Sequence, residues 1–121
     1  MIVSAVQMNS TADLGRNLEV AGKWLRAAAA SAARLAVLPE NFAFMGAREA
    51  DKLAHAEQEG QGPIQRFLAD TARELKLWIV AGTVPLAVDG DTGRVWASSL
   101  VYDDRGSCVG RLRCRAAHSP A

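Results

Sequence analysis

Leu35-Ala36-Val37-Leu38 is a run of four consecutive apolar residues closed by Pro39. So short a run without polar alternation is the pattern of a strand covered on both faces, and the proline ends its ladder. Ahead of it, Leu14, Leu18, Ala21, Leu25, Ala28 and Ala32 recur at alternating spacings of four and three, which marks one face of an amphipathic helix. Asp13 stands where a helix cap belongs, and Glu19 with Lys23 forms a favourable pair one turn apart on the outer face. Ile2 to Val6 precedes this helix as a second apolar, β-branched run, read as a buried strand entering the polar loop Gln7-Met8-Asn9-Ser10. Strand, helix of about 20 residues and strand together make a β-α-β unit.

The pattern then repeats. Glu40 to Gln61 is longer than an ordinary connection and reads as loop, surface helix over Arg48 to Gln58, loop. Gly62-Pro63 opens a second amphipathic helix, with Ile64, Phe67, Leu68, Thr71, Ala72 and Leu75 on one side and the proline suited to the first turn. Trp78 to Gly82 is the next buried strand. After Val84 the pattern is that of a meander, with a turn at Asp89 to Gly93, a strand over Arg94 to Tyr102, a turn at Asp103 to Gly106, and a further strand from Ser107. Antiparallel strands appended to β-α-β units predict an α/β fold with a mixed sheet and helices on at least one face.

Composition narrows the class. Of 121 residues, 50% are hydrophobic and the formal net charge is +1, which excludes intrinsic disorder and provides no field for nucleic acid or lipid head groups. The mostly apolar run Leu77 to Val88, broken by Gly82, Thr83 and Pro85, is too short to span a bilayer, and Met1-Ile2-Val3-Ser4 does not begin a secretory signal. Two cysteines make no disulfide framework, so a reducing, cytoplasmic setting is expected. Charge is uneven: the first 104 residues carry ten basic against thirteen acidic groups, whereas Arg105, Arg111, Arg113 and Arg115 follow with no carboxylate.

Glu40 is the principal candidate for chemistry. It directly follows the buried strand, at the strand's carboxyl end where α/β sheets place ligands, and a carboxylate at the rim of an apolar core is suited to general-base work. Its bland alternative is a turn cap or an arginine partner. Cys108, Cys114 and His118 lack a Cys-x-x-Cys pair and a fourth ligand, so no metal is expected, and Cys108 reads as a small buried side chain. His55 is read as a solvated surface histidine, the four late arginines as solvated, and Gly60-Gln61-Gly62 as no phosphate loop, since lysine and a preceding strand are missing. Trp24, Trp78 and Trp96 fall at core-like positions and read as packing residues.

Taken together, Ala5-Val6-Gln7-Met8, the first helix and Arg34-Leu35-Ala36-Val37-Leu38-Pro39-Glu40-Asn41-Phe42 resemble the start of the nitrilase superfamily of carbon-nitrogen hydrolases. Gly82-Thr83-Val84-Pro85 and Ser99 to Gly106 resemble its next strands in order, and Asn41-Phe42-Ala43-Phe44-Met45-Gly46 is similar to the branch of deaminated-glutathione amidase and omega-amidase. The resemblance implies the amino-terminal half of an α-β-β-α sandwich, assembly as a homo-oligomer, and hydrolysis of the amide of a small carboxylate-bearing substrate by a Glu-Lys-Cys set without metal or organic cofactor. Nitrile or N-carbamoyl substrates are the alternatives within the family. In that scheme a cysteine thiolate forms an acyl-enzyme, the glutamate moves the protons, and the lysine ammonium steadies the oxyanion. Glu40 matches the glutamate.

The resemblance breaks after Arg111. Where the family continues Tyr-Asp-Lys-Ile-His, this chain reads Leu112-Arg113-Cys114-Arg115-Ala116, so Cys114 takes the place of the lysine, and no cysteine here has the local sequence of the nucleophile. A shifted reading frame or a truncated gene produces such a break. Residues 1–111 are therefore expected to be a partial hydrolase domain and 112–121 a divergent, disordered basic tail. The chain by itself is expected to be inactive and prone to self-association through open sheet edges. The competing reading is a non-catalytic α/β module that binds partners through such an edge.

Overall fold

A computed structural model describes residues 1–118, with the side chains of 49, 50 and 115–118 outside the description. The elements run β1 (Ile2–Ala5), α1 (Leu14–Ala30), β2 (Ala33–Leu38), a 3-10 segment (Glu49–His55), α2 (Pro63–Leu75), β3 (Trp78–Val88), β4 (Asp91–Tyr102) and β5 (Cys108–His118). The five strands form one sheet in the order β1-β2-β3-β4-β5. β1, β2 and β3 are mutually parallel, and β4 and β5 return antiparallel. The expected mixed α/β sheet is thus present.

Two successive right-handed crossovers in the same direction put both helices on the same face of the sheet. Leu25 and Ala21 of α1, with Ile64, Leu68 and Ala72 of α2, close over Leu38, Ile79, Ala81, Val84 and Leu100 of the strands, all buried. Asp13 caps α1 as expected, accepting from the Arg16 N–H at 3.0 Å. The start of α2 is satisfied from further away. The carboxylate of Glu57, 6% exposed, accepts from the N–H groups of Ile64 and Gln65 at 2.6 and 3.0 Å, an anion at the positive end of the helix. Gly62, at φ +109°, leaves no space for a β-carbon against that carboxylate.

Several expectations change. β1 is an edge strand with Ile2 and Val3 exposed, because it has one neighbour and cover on one side alone. Trp24 and Trp78 are exposed at 47% and 41% rather than packed in the core. Trp24 leans over the β1 edge, and Trp78 alternates with buried Ile79 and so lies on the helix-free face. Trp96 does pack against the core. The surface helix is a 3-10 segment, and the loop before it is buried through Phe42, Ala43 and Phe44. β3 continues past Gly82 to Val88, with Pro85 on the side where β2 has already ended and Glu57 alone bridges. β5 carries the pairing through Cys114↔Ala97 to His118↔Arg94, so most of the segment expected to be a disordered tail is strand. Its alternation of Arg111, Leu112 and Arg113 suits a strand with one face toward Glu59, and residues 119–121 lie outside the described residues. No helix among the described residues is long and apolar enough to cross a membrane.

Asn17 ties the loops at the carboxyl ends of β1 and β2. It is 1% exposed, donates to Thr11 O and Ala43 O at 2.7 and 2.8 Å, and accepts from the Thr11 N–H at 2.9 Å. Ser10 Oγ adds a bond to Phe42 O at 2.8 Å. Asn17→Ala leaves buried backbone groups of both loops unpaired and is expected to cost about 2–3 kcal/mol, or roughly 10 °C in thermal midpoint. Thermal unfolding followed by circular dichroism measures it, and an unchanged midpoint contradicts the assignment.

Candidate active site

Glu40 sits two residues past the last residue of β2, in a turn at the carboxyl end of the parallel strands. Three contacts determine that turn. Gly82 of β3 approaches so closely that a β-carbon there would overlap the carbonyls of Leu38 and Pro39. Asn41 adopts the left-handed conformation at φ +56°, which asparagine tolerates better than most residues. Its N–H donates to Thr83 Oγ1 at 2.8 Å. Pairing of β3 with β4 slips between Ala81 and Val84, so Gly82 and Thr83 together face Ser99 as a bulge, and Ser99 Oγ donates to the Ala81 carbonyl at 3.2 Å.

The Glu40 side chain is exposed, and among the described residues no hydrogen bond or ion pair holds its carboxylate. That differs from the half-dry carboxylate expected at this place. Glu40 lies past the last paired residue of β2, Leu38 against Ala81, on a turn rather than within the covered sheet. Cys114 pairs with Ala97 and is exposed. β3 and β4 lie between the strand that leads to Glu40 and the strand that carries Cys114, a separation of about 14 Å at the usual strand spacing.

The remaining candidates scatter. Cys108 is exposed rather than buried, because β5 is an edge strand that the helices do not reach. It is six residues from Cys114 along the strand, about 20 Å, too far for the two to share a ligand. No group of three or more metal-ligating side chains occurs among the described residues. His55 is half-buried with its ring against Phe44, centroids 4.2 Å apart, rather than solvated. Arg111 and Arg113 are not merely solvated: both reach Glu59, at 2.5 and 2.7 Å, and Arg113 lies over the Trp96 ring at 5.6 Å.

A cleft of about 830 Å³ opens beside α2, lined by Gln65, Arg66, Tyr102, Cys108 and Arg111 among others. Burial, followed by the nearby Cys108 and Glu57, pushes the Tyr102 phenol well above its ordinary value against a smaller opposing pull from Arg111. Residue-type reasoning misses Thr83, Asn17 and Glu57. Asn17 carries a visible signal, a lone polar residue four before Ala21 on the apolar face of α1, whereas nothing local marks Thr83 or Glu57.

The sequence profile of the family described as carbon-nitrogen hydrolase matches residues 2–116. Deaminated glutathione amidase from Synechocystis sp. is 32% identical over 110 residues, 91% of this chain and 40% of that protein. This chain therefore spans about two fifths of the length of that curated relative. Among solved structures, Saccharomyces cerevisiae Nit3, a member of branch 10 of the nitrilase superfamily, superposes with a TM-score of 0.79 at 24% identity over 92% of this chain and 42% of that one. A double mutant of the amidase from Nesterenkonia sp. AN1, glutamate to glutamine and cysteine to alanine, in complex with acrylamide, superposes with a TM-score of 0.77 at 18% identity over 98% of this chain and 44% of that one. At these identities the superpositions show a shared fold.

Tyr102 is the one tyrosine of the chain, and its raised value has a consequence for alkaline stability. The unfolded chain sheds the phenol proton near pH 10 while the folded chain holds it, so this contribution to stability is intact below about pH 10 and is lost as pH rises beyond it. Tyrosinate absorbance is expected to appear together with loss of circular dichroism. Titration near pH 10 with the fold intact contradicts the burial argument.

Proposed function

Because the chain belongs to the carbon-nitrogen hydrolase family, we propose that it supplies Glu40 as the general base of an amide-hydrolysing centre whose lysine and cysteine are not among residues 1–121. In the reaction, Glu40 accepts the proton of a cysteine thiol, the thiolate attacks the amide carbon, and Glu40 returns that proton to the departing nitrogen, which leaves as ammonia while an acyl-enzyme forms. Glu40, again a carboxylate, takes a proton from water as the water oxygen attacks the acyl group, and it gives this proton to the cysteine sulfur as the carboxylic acid is released. A lysine ammonium stabilises both oxyanions.

The observation that carries this reading is the turn after β2. A buried strand ends, the neighbouring backbone at Gly82 closes against it, and the next side chain is a carboxylate at the end of the sheet where ligands bind. The relative named for deaminated glutathione amidase supports the substrate class, the amide of a small carboxylate-bearing molecule. With Cys114 where the family has lysine, the 121 residues alone are inactive, since loss of one member of such a set typically lowers rates by several powers of ten. Nitrile and N-carbamoyl substrates stay within the same mechanism. We place the protein in the cytoplasm and expect it to self-associate through its open β1 and β5 edges. A second reading is a binding module, favoured by β5, an edge strand with Val109 and Leu112 exposed at 55% and 68%.

The test has two arms. Purified 121-residue protein is expected to release no ammonia from a glutarate monoamide, and measured turnover overturns the inactivity. A chimera joining residues 1–110 to the remainder of the Synechocystis amidase is expected to hydrolyse that enzyme's amide. In that chimera, Glu40→Gln is expected to lower kcat by roughly a thousandfold or more. Equal activity of the two chimeras removes Glu40 from the role, and a folded but inactive parent chimera favours the binding module.

A further inference from the structure

We infer that Thr83 is the positioning residue for Glu40, and that the bulge in β3 exists to aim it. The inference rests on the reading of Glu40 as the base. In an unbroken antiparallel ladder each residue of β3 would face one residue of β4, and successive side chains would alternate between the two faces of the sheet. Here two residues, Gly82 and Thr83, face Ser99 alone. The extra residue is spent at one place: the Thr83 hydroxyl is brought to the N–H of Asn41 at 2.8 Å, with Asn41 Oδ1 a further 3.4 Å acceptor. This joins positions 42 residues apart in sequence.

Each neighbouring residue is consistent with that use of the bulge. Beside the slip, Ser99 Oγ donates to the Ala81 carbonyl at 3.2 Å. Gly82 lacks the β-carbon that would drive the bulge away from Pro39. Asn41 stays at φ +56°, a left-handed conformation that a non-glycine residue keeps where its surroundings hold it. The held peptide is the one that directly follows Glu40. Released, Asn41 can return to the ordinary regions of backbone space, and the rotation passes straight into the direction of the Glu40 side chain. Thr83 thus acts through the backbone, without touching a reacting atom.

Amide hydrogen exchange and residual dipolar couplings of the intact 121-residue chain test this by nuclear magnetic resonance. Thr83→Val keeps the shape and removes the acceptor. It is expected to speed exchange at Asn41 by roughly tenfold, about the loss of one hydrogen bond, and to change the coupling of the Glu40 N–H vector, while Ala36 and Ile79 keep wild-type exchange. Thr83→Ser retains the hydroxyl and is expected to restore both readouts. An Asn41 amide that stays protected in Thr83→Val, acceleration spread evenly through the sheet, or failure of Thr83→Ser to restore the Glu40 coupling each overturn the positioning role. None of these readouts needs turnover. Glu40 could lose its catalytic assignment in the chimera with this anchor intact, and the anchor could fail with that assignment standing.

Discussion

The backbone of β3 comes so close to the end of β2 that Gly82 has no room for a side chain beside the Leu38 and Pro39 carbonyls. β2 stops here because Pro39 offers no N–H to continue pairing and the regular register of β3 breaks at the same level. The approach of Gly82 forces the chain after Pro39 to turn at once, which places a carboxylate at the strand end rather than further along a loop. Interior packing supplies the rigidity on which the turn depends. Leu38 and Phe42, on either side of Glu40 in sequence, are both essentially inaccessible to solvent, so the exposed residue is held between two buried anchors.

The sheet is covered unequally. Two crossovers of the same hand put α1 and α2 over one face, and the other face presents apolar side chains with no helix among the described residues. Exposure of Trp78, Val109 and Leu112 follows directly from this asymmetry. Glu40 lies past the end of β2, and its side chain is exposed. The family profile matches residues 2–116, and this chain spans about two fifths of the length of the curated relative.

How much of the molecule is legible in the amino acids alone depends on the distance over which each interaction acts. Helix faces and the Asp13 cap are set by neighbours within one or two turns, so residue pattern reports them; the apolar run of β2 reports a strand but not that Leu35 and Val37, on its second face, are only half-buried. The exposure of Ile2, Trp24 and Cys108 escapes it, because apolar or small character says nothing about whether a strand lies at an edge. The arginines of β5 suggest an unstructured tail, yet two of them are balanced by Glu59, more than fifty positions earlier in sequence. The place of Glu40 directly after an apolar strand is readable from sequence. The bond from the Asn41 N–H to Thr83 is not, since it arises only when β3 is laid against the turn after β2.

That remote glutamate has one more implication. Glu59 binds Arg111 and Arg113 at once, and all three groups remain partly open to water. Mobile ions compete for such contacts over distances of about 8 Å at physiological ionic strength. The outermost strand is consequently joined to the helical layer by a fastening that weakens as salt is added, while the interior strands, secured by apolar burial, tighten under the same excluded salts. The sheet therefore frays from its basic margin inward, and brine, rather than heat, is the reagent that separates the two kinds of attachment.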